Sequence, residues 1–256
     1  MVFHFPPISG GGVVVIVELA NKFAELGHDV TILTPNLEWN GKKYEPELNK
    51  KIIIHKIETP SKSNLKIAAR RCYDNVKKKG IDLGKQNNYD FILTIFHPFH
   101  LVPKAAVECG EKLGKPVLVK IDDAVYEKAK GLKKIQRKIE KMYNSKTLQN
   151  ADKVLVMNNF TKELVSSYYN VSNQKISIVS NGTNLENFYN SKNKNKRIIF
   201  SGAMYHHRGL DILLNCAARV IDQINDVEFL LLGAGPEMTK LQEFVRKNNP
   251  SKNLIT

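Results

Sequence analysis

The stretch "IIFSGAMYHHRGLDILL" (198–214) joins three patterns: an apolar run, a turn of small residues, and Arg208 with Gly209 opening an amphipathic helix. Amide N–H groups at a helix start have no intrahelical acceptor and form the positive end of the helix dipole. A guanidinium added there is repelled unless an anion joins it, and a phosphate meets that need. The other reading of Arg208 is a solvated surface charge, and the rest of the chain decides between the two.

Outward from this stretch, short β-rich runs recur at 29–33, 51–57, 90–96, 116–121, 153–157, 175–179, 197–201 and 227–232. Helical periodicity fills the gaps. Ile16, Leu19, Ala20, Phe23 and Leu26 form one apolar face, with Gly27 as its stop. Leu210, Leu213, Leu214, Ala217, Ile221 and Ile224 form another. Nearly continuous apolar strands separated by helices mean parallel sheets covered on both faces, so the expected class is α/β. The segment "NLENFYNSKNKNKR" (184–197) is poor in apolar residues and suits a linker. The expected organisation is therefore a domain over 1–185, a linker over 186–196 and a second domain over 197–256. Both are expected to be Rossmann-like, and the second to be incomplete, because the chain stops where a third strand would start.

Composition narrows the classes. The 256 residues are 42% hydrophobic and 25% charged, ordinary for a folded protein, and no apolar run nears the ~20 residues that span a bilayer. The N-terminus, "MVFHFPPISGGG", lacks the basic region and apolar core of a secretory signal. Cys72, Cys109 and Cys216 are odd in number and lack metal-like spacing, which fits a reducing cytoplasm. The sequons at Asn159, Asn170 and Asn181 are read as chance. A net charge of +14 invites anionic partners, but it accompanies a general richness in Lys, Asn and Ile. No recognition-helix pattern or aromatic RNA-binding motif supports nucleic acid.

Two glycine turns follow strands. "SGGG" (9–12) lets backbone amides approach a phosphate, yet it lacks the Gly-Lys-Ser/Thr of a P-loop. "GAGPEM" (233–238) lacks the third glycine of a dinucleotide fingerprint, which argues against NAD.

In order, residues 6–35, 151–164, 175–188, 198–217 and 227–241 resemble the retaining glycosyltransferases of family four, which have the GT-B fold. The resemblance covers essentially the whole chain. It implies an acceptor-binding N-terminal domain, a donor-binding C-terminal domain and transfer of a sugar, with retention, from a UDP- or GDP-sugar to a glycan or lipid-linked acceptor. It implies no cofactor and no metal in the chemical step. Gly10 and Gly11 match the glycine pair that approaches the donor phosphate. Arg208 stands where the family usually has Lys before Gly209, and would stabilise the departing diphosphate. Gly202, Gly209, Gly233 and Gly235 would be backbone spacers in the cleft, and Asn181 and Gly182 match the turn that ends the N-terminal domain.

Some positions depart from the pattern. Ala203 replaces a frequent Arg, and Asn184 an acid. Where many members carry His-Asp after the fourth strand, this chain has Asp122 and Asp123. Asp123 reads as a helix cap and Asp122 as a site residue. His97 in "FHPFH" falls at the cleft edge and is an acceptor-site candidate, and His100 falls on the first helical turn; a structural role fits either equally. The family's E-x7-E motif lies beyond Thr256, so the chain is expected to be a fragment or a split subunit completed by another polypeptide. A non-catalytic chain that binds acceptor is the alternative function, and a sugar-nucleotide epimerase shares the two-domain plan.

The basic segment 128–143 carries Leu132, Ile135, Ile139 and Met142 on one helical face. The favoured reading is an amphipathic helix packed on the first sheet with solvated lysines. The alternative is a helix lying on an anionic membrane, at the inner face of the cell membrane.

Overall fold

The computed structural model describes residues 1–41, 43–59, 72–98, 100–122, 131–183, 185–188, 196–224, 226–248 and 254–255. The chain divides into two compact units, Met1–Thr183 and Asn184–Thr256. The division falls just after the Asn181-Gly182 turn, two residues ahead of the limit expected from the sequence. Of the expected linker, Glu186 and Asn187 belong to a 3-10 turn over Leu185–Asn187, and Lys196 opens a strand.

In the first unit, helix α1 (Gly11–Glu25) precedes strand β1 (Thr31–Asn36), which pairs in parallel with β2 (Ile53–Glu58) from Thr31↔Ile53 to Asn36↔Glu58. A second sheet has the order β3 (Ile92–Ile95), β4 (Val117–Ile121), β5 (Lys153–Val156), β6 (Ile176–Ile178), all parallel. The helices between are α2 (Tyr73–Gln86), α3 (Val102–Leu113), α4 (Leu132–Asn150) and α5 (Asn159–Tyr169). Each of the β-rich runs read between 29 and 232 carries a strand, and the α/β class with parallel sheets is the observed one. Val117, Val119 and Ile121 of β4 and Val154 and Val156 of β5 are buried among Leu148, Val165 and Tyr169, which explains why these alternating positions are apolar. Residues 2–5 take the place of the expected first strand without regular pairing. Val2 N–H donates to Leu33 O at 3.0 Å, and Val2, Phe3 and Phe5 are buried.

Helix α4 overturns one expectation. Ile135 is 60% exposed, Ile139 49% and Met142 62%, so the apolar face does not pack on the sheet. The Leu132 side chain, and residues 123–130 with Asp123, lie outside the described residues. The inward face is instead built from Leu148 and satisfied polar groups: Asn144 donates to Pro98 O at 3.2 Å and Thr147 to Tyr143 O at 3.0 Å. Buried hydrogen-bonded polar groups cost little, so they can take the place of an apolar stripe.

In the second unit, β7 (Lys196–Ser201), β8 (Val227–Leu232) and β9 (Leu254–Ile255) form a parallel sheet in that order, with α6 (Leu210–Gln223) between β7 and β8 and α7 (Met238–Asn248) after β8. Leu210, Leu214 and Ala217 pack on Phe229 and Leu231. Ile198 and Ile199 of β7 are exposed, at 44% and 57%.

Candidate functional site

Parallel α/β sheets present ligands at the carboxyl ends of their strands, and each candidate follows a strand or, for the first glycines, the extended segment 2–5. Gly10 caps α1 in an extended conformation (φ 164, ψ 153), and its carbonyl accepts from both Val13 and Val14. A Cβ placed on Gly10, Gly11 or Gly12 would meet nothing within 4 Å. Packing therefore does not require these glycines. They leave open room over the first-turn amides of a 15-residue helix whose first turn carries no acid, an arrangement that attracts an anion.

Beyond β3, His97 stacks on His100, with ring centroids 4.3 Å apart and an interplanar angle of 17°. His4 meets His100 edge-on at 4.8 Å, and Phe3 closes on it at 3.9 Å. Burial, and then the neighbouring His97, pushes His4 down to about 4. Burial, then His97 and His4, push His100 down to about 2. Both rings are thus neutral at neutral pH and offer hydrogen bonds, not charge. The sequence read His97 and His100 singly and His4 not at all, because only the extended segment 2–5, alongside β1, brings His4 to them. His100 also lies in the loop before α3, off the expected helical turn.

Asp122 follows β4 directly. Its Oδ1 is ion-paired with Lys120 Nζ, which also reaches Met157 Sδ at 3.3 Å, and the lysine is 3% exposed. Oδ2 is buried and has no hydrogen-bond partner among the described residues. Sequence reasoning missed Lys120; its signal was a cation inside the apolar run "PVLVKI" (116–121), which a buried strand tolerates only when paired. Asn181 and Gly182 are exposed beyond β6. A hollow of about 270 Å³ lined by Phe5, Pro6, Tyr44, Leu48, Ile54 and Lys56 contains none of the candidates.

In the second unit, Arg208 ends a 3-10 turn over His206–Arg208, and Gly209 (φ 67) turns the chain into α6. That left-handed conformation is one a side chain rarely adopts, which accounts for glycine there. Arg208 is exposed, and no carboxylate pairs with it among the described residues. One acid, Asp211, stands in the first turn of α6, so an incoming anion meets Arg208 and the first-turn amides of α6 against a single carboxylate. Tyr205 stacks on His207 at 5.6 Å.

Gly233 and Gly235 have a structural cause within the unit. A Cβ on Gly233 would stand 1.9 Å from Gly202 O, and one on Gly235 would stand 2.3 Å from Met204 O. The two loops are laced by Gly202 N–H to Leu232 O and Met204 N–H to Ala234 O, both 2.9 Å. This lacing fixes the loop that carries Arg208. Gly202 itself would meet only the Phe200 ring, at 3.5 Å.

Residues 9–187 match the model of the family described as Glycosyltransferase Family 4. An uncharacterized glycosyltransferase of Methanocaldococcus jannaschii is 35% identical over 104 residues, 40% of this chain and 26% of that protein. The GPI3 subunit of the phosphatidylinositol N-acetylglucosaminyltransferase of Saccharomyces cerevisiae is 27% identical over 118 residues, 42% of this chain and 26% of the relative. Each match thus spans about a quarter of the relative's length. Among solved structures, Anabaena HepE in complex with UDP-glucose superimposes with a TM-score of 0.65 at 10% identity, covering 100% of this chain and 67% of that one. The likeness is one of fold, and the fold is that of GT-B glycosyltransferases.

Proposed function

Because the chain belongs to glycosyltransferase family 4, we propose that it transfers a sugar from a nucleoside-diphosphate donor, UDP- or GDP-linked, to a glycan or lipid-linked acceptor with retention of configuration. The observation that carries this reading is Arg208: an exposed guanidinium without a carboxylate partner among the described residues, set on a rigid turn directly before Gly209 and the start of α6. As the glycosidic bond to phosphate breaks, negative charge builds on the leaving diphosphate. The guanidinium fork of Arg208 and the first-turn amides of α6 can stabilise that charge.

The first unit supplies acceptor recognition in this reading. The imidazole of His97 and the Asp122 oxygen that has no partner among the described residues can each hydrogen-bond an acceptor hydroxyl. The open turn at Gly10 and Gly11 admits phosphate oxygens to backbone amides. No metal or cofactor enters this scheme. That HepE was crystallised with UDP-glucose supports a UDP-sugar donor, and the yeast relative's name supports a lipid acceptor. The test is incubation with UDP- and GDP-sugars and lipid or glycan acceptors, with NMR of the product's anomeric centre. Retained configuration supports the proposal; an inverted product, or a sugar nucleotide epimerised and not transferred, contradicts it.

A further inference from the structure

Helix α4 is amphipathic in the inverse sense for a helix of a soluble unit. Its inward face holds Asn144, Thr147 and the Arg137–Glu140 ion pair (3.3 Å) beside Leu148. On a helical projection the opposite face holds Ile135, Ile139, Met142 and Tyr143, exposed by 60, 49, 62 and 49%. Lys146 is exposed within this stripe and Lys138 beside it, Lys134 is exposed farther round the helix, and Lys141 lies over the Tyr168 ring at 4.4 Å. The helix's one acid, Glu140, is on the inward side and already paired.

We propose that this face of α4 is a docking surface for an anionic lipid bilayer. Charge selects the occupant. Among the described side chains of α4 every exposed charge is a cation, and a second copy of the helix laid against the apolar stripe would bring two sets of lysines together. An anionic headgroup layer would pair them, while the isoleucines and the methionine enter the acyl boundary. Lysine stems can lie along the boundary with their ammonium groups among the phosphates. At ~1.5 Å per residue the 19-residue helix is about 28 Å long, so it rests in the interface plane as a broad contact. No helix among the described residues is long and apolar enough to cross a membrane, so the contact is peripheral. The proposal stands independently of the sugar-transfer reading.

Flotation of the chain with vesicles of three parts phosphatidylcholine to one part phosphatidylglycerol, and with phosphatidylcholine alone, is the test. The expected result is flotation with the anionic vesicles only. Ile135→Ser with Ile139→Ser and Met142→Ser weakens it on the order of tenfold or more, and Lys134→Gln or Lys138→Gln by about fivefold each. Hydrogen exchange on the unsubstituted chain, which does not depend on a variant folding, then slows in α4 when anionic vesicles are added. Absence of flotation, equal binding to neutral vesicles, binding indifferent to the substitutions, or α4 protection that rises with protein concentration without lipid would each overturn the proposal.

Discussion

Lys120 and Asp122 face each other at the carboxyl end of β4, the lysine side chain 3% exposed and the carboxylate 17%, with one carboxylate oxygen paired and the other left without a partner among the described residues. A buried ion pair of this kind is costly to break from one side, because the surviving charge stays buried alone. Lys120→Met is therefore expected to lower the unfolding free energy by ~3–5 kcal/mol, and Lys120→Met with Asp122→Leu to recover much of it. Urea denaturation of the single and double variants checks this; equal loss in both would mean the pair is not the cause.

The imidazoles give the first unit an acid limit. His4 titrates near 4 in the folded chain, below its ordinary 6.5, and His100 near 2. An unfolded histidine binds its proton more readily than these do, so their contribution is complete above pH 6.5 and is lost as pH falls towards 4. Each ring costs up to roughly 3 kcal/mol by pH 4, less where the two share the penalty. Thermal unfolding between pH 7 and 4 is expected to show a falling midpoint, flattened in His4→Phe with His100→Phe; parallel curves would refute the assignment.

Glu108 of α3 reaches Lys77 (2.5 Å) and Tyr73 of α2 and pairs with Lys104 on its own helix. Burial alone would raise its pKa, but hydrogen bonds from Lys104, Lys77 and Tyr73 outweigh it and hold the carboxyl at about 2. A depressed carboxyl stabilises fully above its unfolded value near 4.5 and ceases to do so as pH falls through 2. Glu108→Gln is expected to cost ~1–3 kcal/mol at pH 7, with the gap from the parent chain closing between pH 4.5 and 2. A gap that stays constant across that window would show that the charge is not responsible.

The glycines separate into two kinds. Gly235→Ala drives a Cβ to 2.3 Å from Met204 O and is expected to destabilise the second unit by more than ~2 kcal/mol. Gly10→Ala meets open space and is expected to change stability by less than ~1 kcal/mol, yet to weaken phosphate approach. Denaturation midpoints for both, with UDP-sugar titration of the Gly10 variant, decide the matter.

Strand positions were legible because short apolar, β-rich runs bounded by turn residues mark strands: "VEFLLL" (227–232) is β8 to the residue, with Val227, Phe229 and Leu231 buried. The turn before α6 was legible too, since glycine after a cation and before an apolar period has few other readings. Periodicity placed Ile135, Ile139 and Met142 on one face but carries no information about which way that face turns. In α4 the inward side is polar, satisfied by the Pro98 carbonyl, a partner 46 residues away from Asn144. The histidine cluster was illegible for the same reason, as His4 and His97 meet only through tertiary packing. Gly233 and Gly235 were recognised as needing to be glycine, but the backbone of the 202–204 loop that they approach is not a sequence pattern.

Calorimetric titration of the chain and of Arg208→Ala with UDP and GDP is the most direct measurement of the central claim. The parent chain is expected to bind one of the two, and the variant to bind it at least tenfold more weakly, its exposed substitution leaving the unfolding midpoint unchanged. Equal affinity in both, or no binding of either nucleotide by the folded parent chain, would contradict it.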